Sequence, residues 1–148
     1  MDKLIELIKQ DEGLRLRVYD DATGQPVVKG YTLVGNPTIG YGRLLTKGRG
    51  ISLSEAEHLL TRDITETLAN LSDAFPWFDD LDDVRARVIA SMAFNMGLPR
   101  FMGFKRLRAA VMRGQWDLAA KEILDSNAAR MLPTRYGGLA KMMKTGEA

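Results

Sequence analysis

The sequence contains no cysteine and a single histidine in 148 residues. Without cysteine the chain cannot form disulfide bonds or use a thiolate, which suits a protein made in a reducing cytoplasm. With His58 as the only imidazole, a zinc site and a Ser-His-Asp triad lack support, and no Gly-x-Ser-x-Gly segment occurs. We therefore expect no metal ion, and we expect His58 to lie at the surface or at the boundary of the core.

Long hydrophobic runs are also absent, because no stretch approaches the roughly 20 apolar residues of a membrane-spanning helix. The start, Met1-Asp2-Lys3, lacks the basic region and apolar middle of a secretion signal, so we expect synthesis in the cytoplasm. With 45% hydrophobic and 27% charged residues, 148 residues suffice for one globular domain with its own core.

Net charge is low, at +2, but the charges are unevenly distributed. Residues 52–83 hold nine acids and one base, a balance of −8, whereas residues 99–148 hold ten bases and four acids, a balance of +6. This pattern fits two solvated helical faces. It equally fits a basic part attracted to a polyanion such as a cell wall or nucleic acid.

The first part of the chain reads as one helix followed by a small sheet. Apolar residues at helical spacing predict a helix over residues 2–11 that ends near Glu12, because Gly13 favours a helix C-terminus. Apolar and basic residues then alternate over residues 14–19, and two short β segments follow, so we predict a small antiparallel sheet over residues 14–46. Its strands are expected near residues 14–19, 27–34 and 38–42.

The rest of the chain reads as helix. A loop from Thr46 to Ser52 precedes an amphipathic helix over about residues 54–73, which ends before Pro76. Beyond it we expect a central core helix through residues 84–96, capped by Asp82 or Asp83, and further helices to the end. The last helix should start at Pro133 and fray at its two adjacent glycines, residues 137 and 138. The predicted fold class is α+β.

Paired carboxylates are the chemistry that this sequence favours. Glu12 stands at the predicted end of a helix and Asp21 at the start of a hairpin, with one short strand between them. Two carboxyl groups flanking a glycosidic bond are the usual arrangement for sugar hydrolysis. Acids at this spacing are common, however, and the spacing alone does not establish the pair. The neighbouring Asp11 and Asp20 are expected to be solvated surface groups.

Two other motifs have simpler interpretations. Gly40-Tyr41-Gly42 lacks the third glycine and the parallel β–α context of a dinucleotide-binding loop. Trp77 and Trp116 are expected to be core or boundary residues, which is commoner for tryptophan than a sugar-stacking platform.

A series of short motifs occurs in order along nearly the whole chain. The most specific block comprises Asp11-Glu12-Gly13-Leu14-Arg15-Leu16, Tyr19-x-Asp21 and Thr38-Ile39-Gly40-x-Gly42-x-Leu44-Leu45. Supporting motifs are Leu81-Asp82-x-Val84-Arg85, Phe94-Asn95-Met96-Gly97, Gly103-Phe104, Trp116-Asp117-x-Ala119-Ala120 and Pro133-Thr134-Arg135. Together they resemble the T-even phage lysozymes and phage endolysins, glycoside hydrolase family twenty-four.

The resemblance implies a role for each matching residue. Glu12 corresponds to the general acid, Asp21 to the second carboxylate, and Thr38 to the residue that helps to hold water. Arg135 corresponds to an arginine that pairs with the catalytic glutamate. The positions that line the sugar cleft correspond to Leu44, Phe94 and Asn95.

The resemblance also implies an architecture. The expected fold is a single lysozyme-like domain with an N-terminal lobe of about residues 12–53 and a bridging helix of about residues 54–73. A helical C-terminal lobe of about residues 76–148 is expected to pack with the N-terminal helix, residues 2–11.

This sequence departs from the family pattern at several points. The segment between Asp21 and Thr38 is longer than in the T-even enzyme. Arg43 replaces a histidine, and Asn95 replaces a glutamine. Glu122 replaces an asparagine of the sugar groove.

The implied activity is hydrolysis, by inversion, of the β-1,4 bond between N-acetylmuramic acid and N-acetylglucosamine, without a cofactor. We expect a monomer that acts on glycan strands of periplasmic peptidoglycan and not on nucleic acid. A holin-type membrane protein would give it access by permeabilising the membrane. Two rival functions stay open, a lytic transglycosylase and a non-enzymatic binder of anionic polymers. The sequence also does not decide whether the chain is a free endolysin or one domain of a phage tail machine.

Overall fold

The structure is a computed structural model that describes residues 1–46, 48 and 50–148. The described residues form two compact units, Met1–Glu57 and His58–Ala148. Most of them are helical, and one small antiparallel sheet lies near the N-terminus, which confirms the α+β prediction.

The described residues form the following strands and helices. The strands are β1 (Arg15–Asp20), β2 (Pro37–Gly40) and β3 (Arg43–Leu44). The helices are α1 (Asp2–Glu12), α2 (Leu53–Ala74), α3 (Asp83–Met96), α4 (Leu98–Met102), α5 (Lys105–Met112), α6 (Trp116–Leu124), α7 (Asn127–Met131) and α8 (Pro133–Thr145). A turn of 3-10 helix, Pro76–Phe78, follows α2.

Helix α1 ends at Glu12, as the sequence predicts. Gly13 adopts a φ of +65° and its N–H donates to the Lys9 carbonyl, which closes the last turn. A left-handed φ of this kind costs glycine little, so the residue type determines where the helix stops. No residue of α1 is buried, and the packing of this helix with the helical lobe stays a prediction.

The sheet of the N-terminal unit has the order β1-β2-β3, and both strand pairs are antiparallel. Thr38 in the middle strand lies opposite Tyr19 of β1 and Leu44 of β3. The predicted strand over residues 27–34 is wrong, because these residues form no strand, and the isolated bridge between Tyr19 and Pro26 lies just before them. Near its end, the backbone N–H of Val34 donates to an aspartate side chain instead of to a neighbouring strand.

Helix α2 confirms the predicted long helix and begins with a capping box. The Ser52 hydroxyl accepts from the Glu55 N–H, and the Glu55 carboxylate accepts in return from the Ser52 N–H. The predicted loop from Thr46 to Ser52 includes Lys47 and Arg49, which lie outside the described residues. Across the part of the chain that the structure describes, no helix combines the length and hydrophobicity needed to cross a membrane.

The C-terminal unit is built around α3, as predicted. Asp82 caps this helix by accepting from the Arg85 N–H, and Val88, Ile89, Met92 and Ala93 are buried along it. Trp77 and Trp116 are partly buried against the same core, which confirms their interpretation as boundary residues.

Helix α8 departs from the sequence prediction. It continues through Gly137 and Gly138 without a break, so the predicted fraying is wrong. The flanking side chains are buried in the core, and their packing outweighs the weak helix propensity of two glycines. These buried residues are Tyr136, Leu139, Ala140 and Met143.

Candidate active site

Glu12 lies at the end of α1 with its carboxylate against the turn between β2 and β3. A Cβ atom added at Gly42 would lie 2.6 Å from the Glu12 Oε2 atom. Gly42 also adopts a φ of +71°, which favours glycine. The backbone can therefore approach the Glu12 carboxylate only because residue 42 has no side chain.

This close approach predicts a functional effect of Gly42→Ala. The added methyl group must displace the Glu12 carboxylate, and a misplacement of about 1 Å can cost about 10²-fold in rate. Gly40→Ala is the matched control, because Gly40 has a φ of +68° and open space where its Cβ would be. Both variants incur backbone strain, but with Glu12 as the general acid that the resemblance implies, only Gly42→Ala should lower clearing of bacterial cell walls, about a hundredfold. Equal activities would contradict the proposed positioning of Glu12.

Asp21 is exposed, but both of its carboxylate oxygens are held by one residue. The Asn36 N–H donates to Oδ1 at 2.7 Å, and the Asn36 side-chain amide donates to Oδ2 at 3.1 Å. In return, the Asp21 N–H donates to the Asn36 carbonyl at 3.0 Å. The Asp21 side chain therefore has a defined orientation, which is unusual for an exposed carboxylate.

Thr38 shares this partner. The residue is 2% exposed, and its hydroxyl donates to the Asn36 carbonyl at 3.2 Å. Since Leu44 lies opposite Thr38 across β2 and β3, three of the predicted site residues come together in the N-terminal unit. They are Asp21, Thr38 and Leu44.

Asp20 is fully buried, so the expectation of a solvated surface group is wrong. Its carboxylate accepts four hydrogen bonds from the segment that connects β1 with β2, and these satisfy the buried charge. The donors are the N–H groups of Ala22, Val34 and Gly35 and the hydroxyl of Tyr31. Burial raises the pKa of the Asp20 carboxyl, but the hydrogen bonds lower it more, and that pKa lies below its usual value.

The lowered pKa predicts how acid affects the fold. Because the folded-state pKa of Asp20 lies below the unfolded value of about 3.9, its contribution is complete above that pH. The contribution is lost as the pH falls through the folded-state pKa. Asp20→Asn should therefore lower Tm at pH 7 and reduce the drop in Tm on acidification, measured by circular dichroism. Some drop should remain, because the pKa values of Glu55 and Asp82 are also lowered.

An exposed aspartate provides the control for this measurement. Asp11→Asn removes a carboxylate that lies at the surface of α1. Its melting temperatures should follow the wild-type values across the pH series. An Asp20→Asn protein with the wild-type pH dependence would contradict the role of this buried carboxylate.

Arg43, which the resemblance matches to a histidine, forms an ion pair with Glu55. Its guanidinium donates to both oxygens of Glu55 at 2.8 and 3.0 Å, and its Nε donates to the Gly50 carbonyl. The hydrogen bonds from Ser52, with a smaller contribution from Arg43, lower the pKa of the Glu55 carboxyl. The side chains of Arg43 and Glu55 are 40% and 43% exposed. The ion pair therefore adds little to the free energy of unfolding, and its main effect is to hold the two side chains in place.

In the C-terminal unit, Phe94 and Arg135 line one cavity of about 410 Å³. The cavity is mainly apolar, and Phe94 is 42% exposed. The Arg135 guanidinium donates to the Ser91 hydroxyl at 3.1 Å and to its carbonyl at 3.3 Å. Its predicted pairing with Glu12 stays a prediction.

Asn95 accepts a hydrogen bond from a buried tyrosine. The Tyr136 hydroxyl donates to Asn95 Oδ1 at 2.9 Å, and burial raises the pKa of that tyrosine. The side-chain NH₂ group of Asn95 points away from this bond and has two N–H groups that can donate. The buried tyrosine therefore orients an exposed amide.

Glu122 lines a second cavity of the C-terminal unit, with a volume of about 760 Å³. Charges of both signs surround this cavity, whose other lining groups are apolar or neutral. The charged residues are Arg100, Lys105, Arg106, Glu122 and Asp125.

His58 is exposed, which confirms the surface prediction. Across residues 1–46, 48 and 50–148, no group of three or more His, Cys, Asp or Glu side chains is placed to hold a metal ion.

The sequence interpretation missed Asn36 and Gly35. Their side-chain and backbone partners lie about fifteen residues earlier in the chain, beyond the reach of any local pattern. The available signal was the Asn36-Pro37 dipeptide, which favours a turn directly before a strand.

The small antiparallel sheet and the mainly helical remainder of the described residues define a lysozyme-like α+β fold, and Glu12 and Asp21 both lie in its N-terminal unit. A family model described as phage lysozyme matches residues 9–141. The chain belongs to the phage lysozyme family.

Individual relatives agree with this assignment at low identity. Probable T4-type lysozyme 2 of Dictyostelium discoideum is 26% identical over 174 aligned residues, covering 99% of this chain and 96% of that protein. Probable T4-type lysozyme 1 of the same organism is 25% identical over 169 residues, covering 95% and 93%. The family and these relatives support a lysozyme, or muramidase, function.

One relative is much longer than this chain. The pre-baseplate central spike protein Gp5 of Enterobacteria phage T4 is 27% identical over 159 aligned residues. The alignment covers 97% of this chain but only 28% of the spike protein.

Proposed function

We propose that the protein is a muramidase that hydrolyses the β-1,4 bond between N-acetylmuramic acid and N-acetylglucosamine in peptidoglycan. The proposal rests on one observation in a chain of the phage lysozyme family: Asn36 forms hydrogen bonds with both Asp21 and Thr38. An exposed carboxylate held in one orientation is suited to activating a water molecule, and the Asn36 carbonyl links its residue to the Thr38 hydroxyl.

Glu12 is the general acid in this proposal. It donates a proton to the oxygen that leaves the sugar, and the contact with Gly42 limits where its carboxyl group can lie. Asp21 stabilises the positive charge that develops on the ring and accepts a proton from the attacking water.

Thr38 completes the water site. Its hydroxyl hydrogen is directed to the Asn36 carbonyl, which leaves the oxygen lone pairs as acceptors. A water molecule could then donate one hydrogen to Asp21 and the other to Thr38, with its own lone pair directed at the sugar carbon. Attack by such a water inverts the configuration at that carbon.

Residues of both units have properties suited to sugar contacts. Leu44 is adjacent to Thr38 in the sheet, and Phe94 offers an exposed aromatic surface. Asn95 offers amide donors oriented by Tyr136. We assign these three side chains to substrate binding.

The cellular role follows from where peptidoglycan lies. A free endolysin made in the cytoplasm must cross the inner membrane, and a holin-type membrane protein would provide the route. Similarity to part of the pre-baseplate central spike protein Gp5 supports a second arrangement, in which the chain serves as the lysozyme part of a longer spike protein.

Product analysis tests the proposed activity and separates it from its rivals. Purified peptidoglycan is digested, the new ends are reduced with borohydride, and the products are identified by mass spectrometry. We expect reduced N-acetylmuramic acid at the new ends. Reduced N-acetylglucosamine would indicate a different bond, a 1,6-anhydro end would indicate a lytic transglycosylase, and uncut glycan would leave only polymer binding.

A further inference from the structure

The segment that connects β1 with β2, residues 21–36, is closed at its base by its own two end residues. The Asp21 N–H donates to the Asn36 carbonyl, and the Asn36 N–H donates back to the Asp21 carboxylate. The side-chain amide of Asn36 adds a third bond, to the second carboxylate oxygen. We call these three bonds the Asp21–Asn36 clasp.

The clasp restrains the carboxylate more strongly than a single bond would. One donor on each oxygen determines both the position of the carboxyl group and the plane in which it lies. An ionised carboxylate has about four acceptor positions, so others remain open to a water molecule.

Gly35 shows how closely the chain passes the carboxylate. A Cβ atom added there would overlap with Asp21 Oδ1 and would lie 2.7 Å from the Ala22 Cβ. Any side chain at residue 35 would therefore push Asp21 away from its position in the clasp.

Asp20 supports the clasp from inside the unit. Its buried carboxylate accepts the N–H groups of Val34 and Gly35, the two residues that precede Asn36. The two adjacent acids thus bind three consecutive residues that directly precede β2: Asp20 holds residues 34 and 35, and Asp21 holds residue 36. Asp20 therefore holds the backbone that leads directly into Asn36.

The clasp also sets the relation between Asp21 and Thr38. The Asn36 carbonyl accepts from the Asp21 N–H at 3.0 Å and from the Thr38 hydroxyl at 3.2 Å. One peptide group therefore connects the two residues assigned to the attacking water.

We propose that Asn36 is the positioning residue for the second carboxylate: it holds Asp21 in the orientation that, together with Thr38, activates water. This inference rests on the proposed muramidase function. Asn36 contacts neither the sugar nor the general acid in this role, and it acts only through Asp21 and Thr38.

The role predicts a specific kinetic change in Asn36→Ala. The variant keeps the backbone bond to Oδ1 but loses the side-chain bond to Oδ2. On soluble peptidoglycan fragments, kcat should fall about 10- to 100-fold while KM changes less than about twofold, because orientation for attack is lost and sugar binding is not. Gln25→Ala removes an exposed amide from the same segment and should retain wild-type kcat and KM.

Asn36→Asp adds a readout that a merely structural residue would not affect. The new side chain has the same shape but no N–H donor, and it places a second carboxylate beside Asp21. Two carboxylates in hydrogen-bond contact do not ionise independently, so the acidic limb of the pH–rate profile should move to higher pH.

The outcomes distinguish failure of this inference from failure of the proposed function. If the wild-type chain leaves peptidoglycan uncut, both fail. If the wild type is active and Asn36→Ala has the same kcat as Gln25→Ala, only the positioning role is overturned. A rise in KM alone would make Asn36 a sugar contact, and unfolding of both Asn36 variants by circular dichroism would make it purely structural. Either result overturns the proposal.

Discussion

Replacement of Glu12 by glutamine should abolish wall clearing while leaving the protein folded. Glutamine has nearly the same shape but cannot donate a proton as a carboxylic acid does. General acid catalysis contributes typically about 10² to 10⁴ in rate, and we expect at least that loss. The side chain lies at an exposed helix end, so the fold should tolerate the change.

Glu6→Gln is the matched control for this prediction. Glu6 lies on the same helix and forms an exposed ion pair with Lys9 at 2.8 Å. Such pairs contribute about 0–1 kcal/mol, so activity and melting temperature should stay near wild type. Retention of wild-type activity by a folded Glu12→Gln protein would refute the assignment of the general acid.

Asp21→Asn should cause a loss of similar size, about 10² to 10⁴ in kcat. Asparagine cannot accept the proton of the attacking water. It also fits the clasp poorly, because Asn36 presents a donor to each oxygen and one of those oxygens becomes an NH₂ group. Asp11→Asn removes a different exposed acid from the same unit and should leave kcat unchanged.

The products of the Asp21→Asn variant are as informative as its rate. In a lytic transglycosylase a sugar hydroxyl replaces water, so the second carboxylate is dispensable. An active Asp21→Asn protein that forms 1,6-anhydro ends would therefore contradict water activation by Asp21. Loss of all cleavage in a folded variant supports it.

Local chemistry explains what the sequence predicted correctly. Gly13 terminates α1 at Glu12, the Ser52–Glu55 capping box starts α2, and Asp82 caps α3. In each case the residue and its hydrogen-bond partner are no more than four positions apart. Such features depend on the sequence nearby and little on the rest of the fold.

Long-range contacts explain the errors. Residues 27–34 are rich in residues that favour strands, but the N–H of Val34 is bound by Asp20, fourteen positions earlier. Asp20 itself looks like any surface acid until that segment folds around it. The role of Asn36 was also missed because its partner, the Asp21 carboxylate, lies fifteen positions away in the sequence.

The family resemblance and the geometry contribute different parts of the candidate site. The resemblance selects Glu12, Asp21 and Thr38 from many similar residues. The structure adds the contacts that hold them, namely Gly42 against Glu12 and Asn36 with the other two. Neither source alone identifies both the reacting groups and their supports.

The most direct test of the account is the configuration of the first product. Purified glycan strands are digested, and proton NMR of the new N-acetylmuramic acid end is recorded before mutarotation. Attack by a water held between Asp21 and Thr38 predicts that the α-anomer appears first and the β-anomer grows in later. An initial β-anomer would mean that the configuration is retained, and it would contradict the water-activating role of Asp21, Thr38 and the clasp.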